Sequence, residues 1–237
     1  MIYGSLSVFE GLLLLSNILN AVKIEKLVVP ELVQIGNVSE ITLHCDFKTM
    51  NEGPYSVEWL FNERNVPIYR WNSYSPAKVN GILVDRLDLT FHVSSSVYDK
   101  GSILRLVRLD PQLSGDYTCS VTRNGTTVQQ TKTMLVFSPE RELDLEVRSR
   151  SQKSYDVMCT ARGVFPQPDL ILEYNNKLIP KQHQRIWRSG AELTLYDAES
   201  ITQLEASCPG TVTCRLTLSE AGYMALKEKT IYTAQLV

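Results

Sequence analysis

The run Leu104-Arg105-Leu106-Val107-Arg108-Leu109-Asp110-Pro111-Gln112-Leu113-Ser114-Gly115-Asp116-Tyr117-Thr118-Cys119 constrains this chain more than any other stretch. It reads as a strand, a tight turn, and a second strand ending on a cysteine. Leu104, Leu106 and Leu109 are spaced to face a core, and Gly115 permits the turn. Strand side chains alternate, so Tyr117 and Cys119 project from one side of their strand. Upstream, Ile41, Leu43 and Cys45 alternate in the same way, and Trp59 follows at a plausible next-strand distance in Tyr55-Ser56-Val57-Glu58-Trp59. The order Cys, Trp, Tyr, Cys predicts a Cys45–Cys119 bridge packed on one indole between two sheets.

That set is the signature of an immunoglobulin-type sandwich, with the tyrosine hydrogen-bonding back across a corner. The 237 residues leave room for two such domains. The inter-cysteine segment is long, about 75 residues, which leaves space for an extra strand pair after Trp59 and favours the variable type. Closing a loop of that length stabilises by about 4.5 kcal/mol in the chain-entropy treatment. Val57, Trp59 and Phe61 share one face; Ser56, Glu58 and Leu60 share the other. Residues 67–71 predict a further strand, and residues 82–93 another, with Leu87, Leu89 and Phe91 alternating against Asp88, Thr90 and His92. Asn124-Gly125 is a hairpin signal. Leu113 stands where variable-type sandwiches commonly carry an aspartate paired with an arginine, so that ion pair is expected to be missing.

Residues 138–237 predict a second, divergent constant-like sandwich after a short junction at Phe137-Ser138-Pro139-Glu140-Arg141. Its strands are read at Leu143–Val147, Tyr155–Cys159, Leu170–Tyr174, Ala191–Tyr196, Thr211–Leu218 and Thr230–Val237. No tryptophan occupies the core site; Leu172 or Tyr174 stands there instead, and Trp187 lies too far along. Cys159 pairs with Cys214 on this reading, against a competing pairing with Cys208. Cys208 is then left over, as a buried free thiol or a bridge to another chain. Disulfides require an oxidising compartment. An apolar stretch within residues 1–21 reads as a secretory signal peptide, leaving 22–137 as the first domain. No second apolar run of ~20 residues is present to span a membrane, so the chain reads as secreted, or as a surface protein whose anchor is missing.

The formal net charge of −2 gives no electrostatic case for nucleic-acid binding. The histidines are scattered, no nucleophile has a neighbouring base, and no C-x-x-C pair suggests zinc, so the expectation is a non-enzyme without cofactor or metal. Two glycan acceptor sequons, at Asn37 and Asn124, both fall in turns. A glycan at the Asn124 hairpin would hinder binding through the loop tips. The alternative surface is the outer face of the sheet carrying Trp59, with Glu58, Leu60, Thr118 and Ser120 joined by Tyr69, Arg70 and Trp71. Tyrosine, arginine and tryptophan are enriched where interfaces concentrate their energy. Two registers are open for that strand: Tyr69 and Trp71 outward with Arg70 inward, or Arg70 and Ile68 outward.

Tyr55-Ser56-Val57-Glu58-Trp59 with Ile68-Tyr69-Arg70-Trp71 resembles the Y-S-V-K-W … F-Y-R-Y pattern of the insect beaten-path (Beat) proteins. Cys159-Thr160-Ala161-Arg162-Gly163-Val164-Phe165-Pro166, then Leu170–Tyr174 and Asn175-Asn176, is similar to that family's C-T-x-x-x-x-F-P … L-x-W-x-x-N stretch. The family also lacks the aspartate replaced by Leu113. The chain departs from it by inserting Asn65-Val66-Pro67 and by lacking the second tryptophan. The resemblance implies a neuronal surface or secreted adhesion ligand that binds Sidestep-type immunoglobulin receptors in axon guidance. A nectin-like or immune-type ectodomain with another protein partner is the competing expectation.

Overall fold

A computed structural model describes residues 22–49, 53–63, 65–91, 101–181, 183–189 and 194–232. The leader expected over 1–21 lies outside the described residues, as do the final residues of the strand expected to reach Val237. The chain is almost entirely β and forms two tandem immunoglobulin-like sandwiches, each with its own buried cluster.

In the first sandwich the strands run in order: β1 (Val22–Val28), β2 (Leu32–Gln34), β3 (Glu40–Thr49), β4 (Ser56–Phe61), β5 (Tyr69–Asn72), β6 (Ser75–Val79), β7 (Ile103–Val107), β8 (Gly115–Arg123) and β9 (Thr126–Phe137). One sheet is β1-β3-β7; the other is β2-β9-β8-β4-β5-β6. The added pair β5–β6 makes this the variable-type arrangement. Alternation decides the layering. Leu43 and Cys45 from one sheet meet Val57, Trp59, Tyr117, Cys119 and Val121 from the other, all fully buried. Cys45 and Cys119 are bridged, and Trp59 is the register partner of Cys119. Truncating a buried ring of that size costs about 3–5 kcal/mol. The Tyr117 hydroxyl donates to the Leu113 carbonyl at 2.8 Å, forming the corner.

Two expectations for this domain need correction. Residues 82–91 do not form a strand. Gly81–Leu83 is a 3-10 turn, Asp85 has φ 63°, and only Leu87 bridges to Leu106. The Asp88 carboxylate accepts from the Thr90 hydroxyl at 2.7 Å and from its backbone N–H at 2.9 Å, capturing a donor that a ladder would use. The second correction is that an arginine–aspartate pair is present after all, with the acid supplied by Asp110. Arg86 Nη2 donates to the Asp110 carboxylate and, at 3.1 Å, to Gln112 Oε1. The turn 111–113 places Asp110 at its start and leaves Leu113 fully buried.

The second sandwich comprises β10 (Glu142–Ser149), β11 (Ser154–Val164), β12 (Asp169–Tyr174), β13 (Lys177–Leu178), β14 (His183–Ser189), β15 (Leu195–Glu205), β16 (Gly210–Leu218) and β17 (Tyr223–Ile231). Its sheets are β10-β11-β15-β14 and β13-β12-β16-β17, a constant-like layout. Cys159 is bridged to Cys214. Leu172 is the register partner of Cys214, the place Trp59 holds beside Cys119, so leucine fills the tryptophan site. Trp187 lies on β14 and is 45% exposed. Cys208 is free but exposed rather than buried, because it sits in a turn whose carbonyl accepts from the Tyr174 hydroxyl. β15 starts at Leu195, residues 190–193 being outside the described residues, and β17 starts at Tyr223, well before Thr230.

The junction is hydrogen-bonded from both sides. The Ile35 N–H donates to the Phe137 carbonyl at 2.9 Å, and Ser138 and Phe165 exchange two backbone bonds of 2.9 and 3.0 Å. Phe137 is buried in the second cluster, its ring 5.7 Å from that of Tyr223.

Candidate protein-binding face

The candidate surface is the outer face of the sheet β2-β9-β8-β4-β5-β6. Register fixes what reaches it, because residues directly opposite on antiparallel strands share a face. Glu58 is opposite both Arg70 on β5 and Ser120 on β8; Leu60 is opposite Thr118. Thr118, Ser120 and Thr122 are in turn opposite Thr131, Gln129 and Thr127 on β9. The face is therefore a lattice of short polar groups. Hydroxyl pairs link Thr118 to Thr131 at 2.7 Å and Thr122 to Thr127 at 2.8 Å. Thr133 donates to Asp116 at 2.6 Å. Arg70 Nε donates to Glu58 Oε1 at 2.5 Å, with Lys78 opposite Arg70 on β6. Leu60 is the apolar residue among them, half-buried between these rows.

Of the residues expected on this face, Glu58, Leu60, Arg70 and Thr118 lie there. Three do not. Tyr69 is opposite Trp59 and Trp71 opposite Val57, so both rings turn into the sandwich. Tyr69 is buried, and burial pushes its hydroxyl pKa up to about 12. Trp71 is half-buried with its ring 5.1 Å from that of Tyr55, and a Cβ on Gly101 would come within 2.4 Å of its Cγ. Ser120 shares the outer face but is buried, since the Gln129 amide lies over it and donates to its Oγ at 3.2 Å. Arg70 is the outward residue of its strand. Ile68 is buried as well, because it precedes the strand, its N–H donating to the Trp59 carbonyl at 2.8 Å. The hydroxyl rows on β9 went unread in the sequence. Their signal was the alternation of Thr127, Gln129, Thr131 and Thr133.

Both acceptor asparagines are exposed. Asn37 lies in the turn after β2; Asn124 forms the β8–β9 hairpin tip with Gly125, at φ 48° and 76°. Among the described residues no group of three His, Cys, Asp or Glu side chains is placed to hold a metal, and no helix is long and apolar enough to cross a membrane.

Solved structures share this architecture. Bovine butyrophilin superposes with a TM-score of 0.67 at 15% identity, covering 86% of this chain and 95% of that one. A chain from the complex of ICOS with ICOS-L and an anti-ICOS-L VNAR domain gives 0.60 at 16%, covering 85% and 99%. The mouse nectin-like molecule 4 ectodomain gives 0.53 at 15%, covering 86% and 66%. No family model matches the sequence, and no curated protein matches it. At these identities the likeness shows the fold: two tandem immunoglobulin-like sandwiches.

Proposed function

We propose that this chain is an extracellular cell-recognition protein that binds another protein through the outer face of its first domain. The observation that carries the reading is that face itself. It spans several strands and bears an apolar residue, Leu60, among hydroxyls and the Glu58–Arg70 pair. Residues 138–237 act as a spacer presenting it, residues 1–21 as the export signal. A glycan on Asn124 would crowd the loop tips and leave the sheet face open.

The specific assignment is a Beat-like ligand of a Sidestep-type immunoglobulin receptor in axon guidance. Its support is the two first-domain sequence blocks. Tyr55 and Trp71 from those blocks pack together beneath the face, while Glu58 and Arg70 from the same blocks stand on it. A pairwise extracellular screen against Sidestep-type and other immunoglobulin ectodomains tests both levels. Binding only to the other ectodomains replaces the Beat-like assignment with a nectin-like or immune-type one. In either case Leu60→Arg should weaken affinity by at least about 10-fold, since an unpaired guanidinium would be desolvated. Unchanged affinity with intact folding removes the face from consideration.

A further inference from the structure

We propose that the glycan on Asn37 is seated in the groove where the two domains meet, its first sugars covering apolar side chains that the polypeptide leaves in water. The groove, about 550 Å³, is lined by Pro30, Leu32, Asn37 and Val38 on the first domain and by Gly222 and Tyr223 on the second. Leu32 and Val38 are 48% and 47% exposed. Leu32 lies on β2, the edge strand of its sheet, which pairs with β9, and Val38 lies in the turn that follows it. Exposed apolar side chains gathered at one concavity mark a surface that something covers.

The acceptor is part of the wall. A sugar joined to Asn37 Nδ2 begins its course at the groove, and tethering raises its local concentration far above that of any free ligand. Pyranose rings present C–H faces suited to aliphatic and aromatic side chains, while their hydroxyls stay in water at the open mouth. Asn124 supplies the contrast: it lies at the β8–β9 hairpin tip and is not part of the groove wall. A seated Asn37 glycan touches both domains and steadies the angle between them. The inference needs only the secretory route and is independent of which partner the first domain binds.

The test uses the chain secreted from eukaryotic cells. Glycopeptide mass spectrometry gives occupancy, and hydrogen exchange reads peptides over residues 30–38 and 221–224. Asn37 should be occupied. Ser39→Ala, which destroys the acceptor, should speed exchange several-fold in both peptides and lower Tm by roughly 2–4 °C. Thr126→Ala, which removes only the Asn124 glycan, should change neither. Val38→Ser keeps the sequon and should keep the glycan mass, yet exchange as fast as Ser39→Ala. If Ser39→Ala is not secreted, native enzymatic removal of the glycan from the wild-type chain gives the same comparison. An empty Asn37, or an occupied Asn37 whose loss leaves peptide 221–224 unchanged, overturns the proposal.

Discussion

Removing the Asp110 carboxylate should destabilise the first domain by two separable routes. Oδ1 accepts from the Gln112 backbone N–H at 2.8 Å and caps the turn 111–113; Oδ2 takes the Arg86 guanidinium. Arg86 is also held by the Ile82 carbonyl at 3.0 Å, and its side chain is only 18% exposed against 34% for Asp110. A cap is worth about 1 kcal/mol, and a hydrogen bond to a charged group about 1.5–3 kcal/mol. The partial exposure of Asp110 places the pair at the lower end of that range. Asp110→Ala, losing both, should cost about 2–3 kcal/mol. Asp110→Asn keeps an acceptor for Gln112 and should cost about 1–2 kcal/mol, each kcal/mol lowering Tm by roughly 4–8 °C in a small domain. Chemical unfolding followed by the fluorescence of buried Trp59 reads both, and a cycle with Arg86→Met should show a coupling of about 1 kcal/mol. A coupling near zero, with Asp110→Asn behaving like wild type, would refute the ion-pair argument and leave Asp110 as a cap alone.

Two further outcomes follow from burial. Tyr69 and Tyr117 both have hydroxyl pKa values raised by desolvation, Tyr69 to about 12, above the ordinary value of 10.0. The folded state then holds protons that the unfolded chain releases, so the stabilisation is complete below pH 10 and drains away as pH rises from 10 towards 12. The slope should be about 1.4 kcal/mol per pH unit per tyrosine, read by denaturant titration at several alkaline pH values; Tyr69→Phe should remove one tyrosine's share and leave that of Tyr117, and an unaltered slope would refute the assignment. Trp71→Ala should lower stability by about 2–3 kcal/mol through lost packing on Tyr55 while changing affinity less than Leu60→Arg does; a binding loss at unchanged Tm would show instead that the indole meets the partner.

The sandwich was legible because its signals are local. The Tyr117–Cys119 spacing, the alternation around Cys45 and Trp59, and Asn124-Gly125 each depend on neighbours within a few residues. The errors came where two distant segments decide the outcome. Tyr69 and Trp71 alternate with Arg70 whichever way the strand faces, and only the pairing with Trp59 and Val57 sets the register. Residues 82–91 carry a strand-like alternation, but the Asp88–Thr90 turn competes with the ladder and prevails. Leu113 gives no local sign of the ion pair, because the turn 111–113 brings in Asp110 from three residues earlier.

The same register shapes what the face can do. With its aromatic rings turned inward, the surface offers hydroxyls, one ion pair and Leu60. Affinity at an interface usually concentrates in large buried rings, and Tyr69 and Trp71 are turned away from this side. What remains favours hydrogen-bond and charge complementarity, which give selectivity and fast encounter more than tight single-site binding. An exposed pair such as Glu58–Arg70 stabilises the free protein little, so its guanidinium and carboxylate can exchange each other for a partner's groups at small cost. A face built this way suits recognition between two surfaces that each display many copies, where multivalency supplies the strength that one contact lacks.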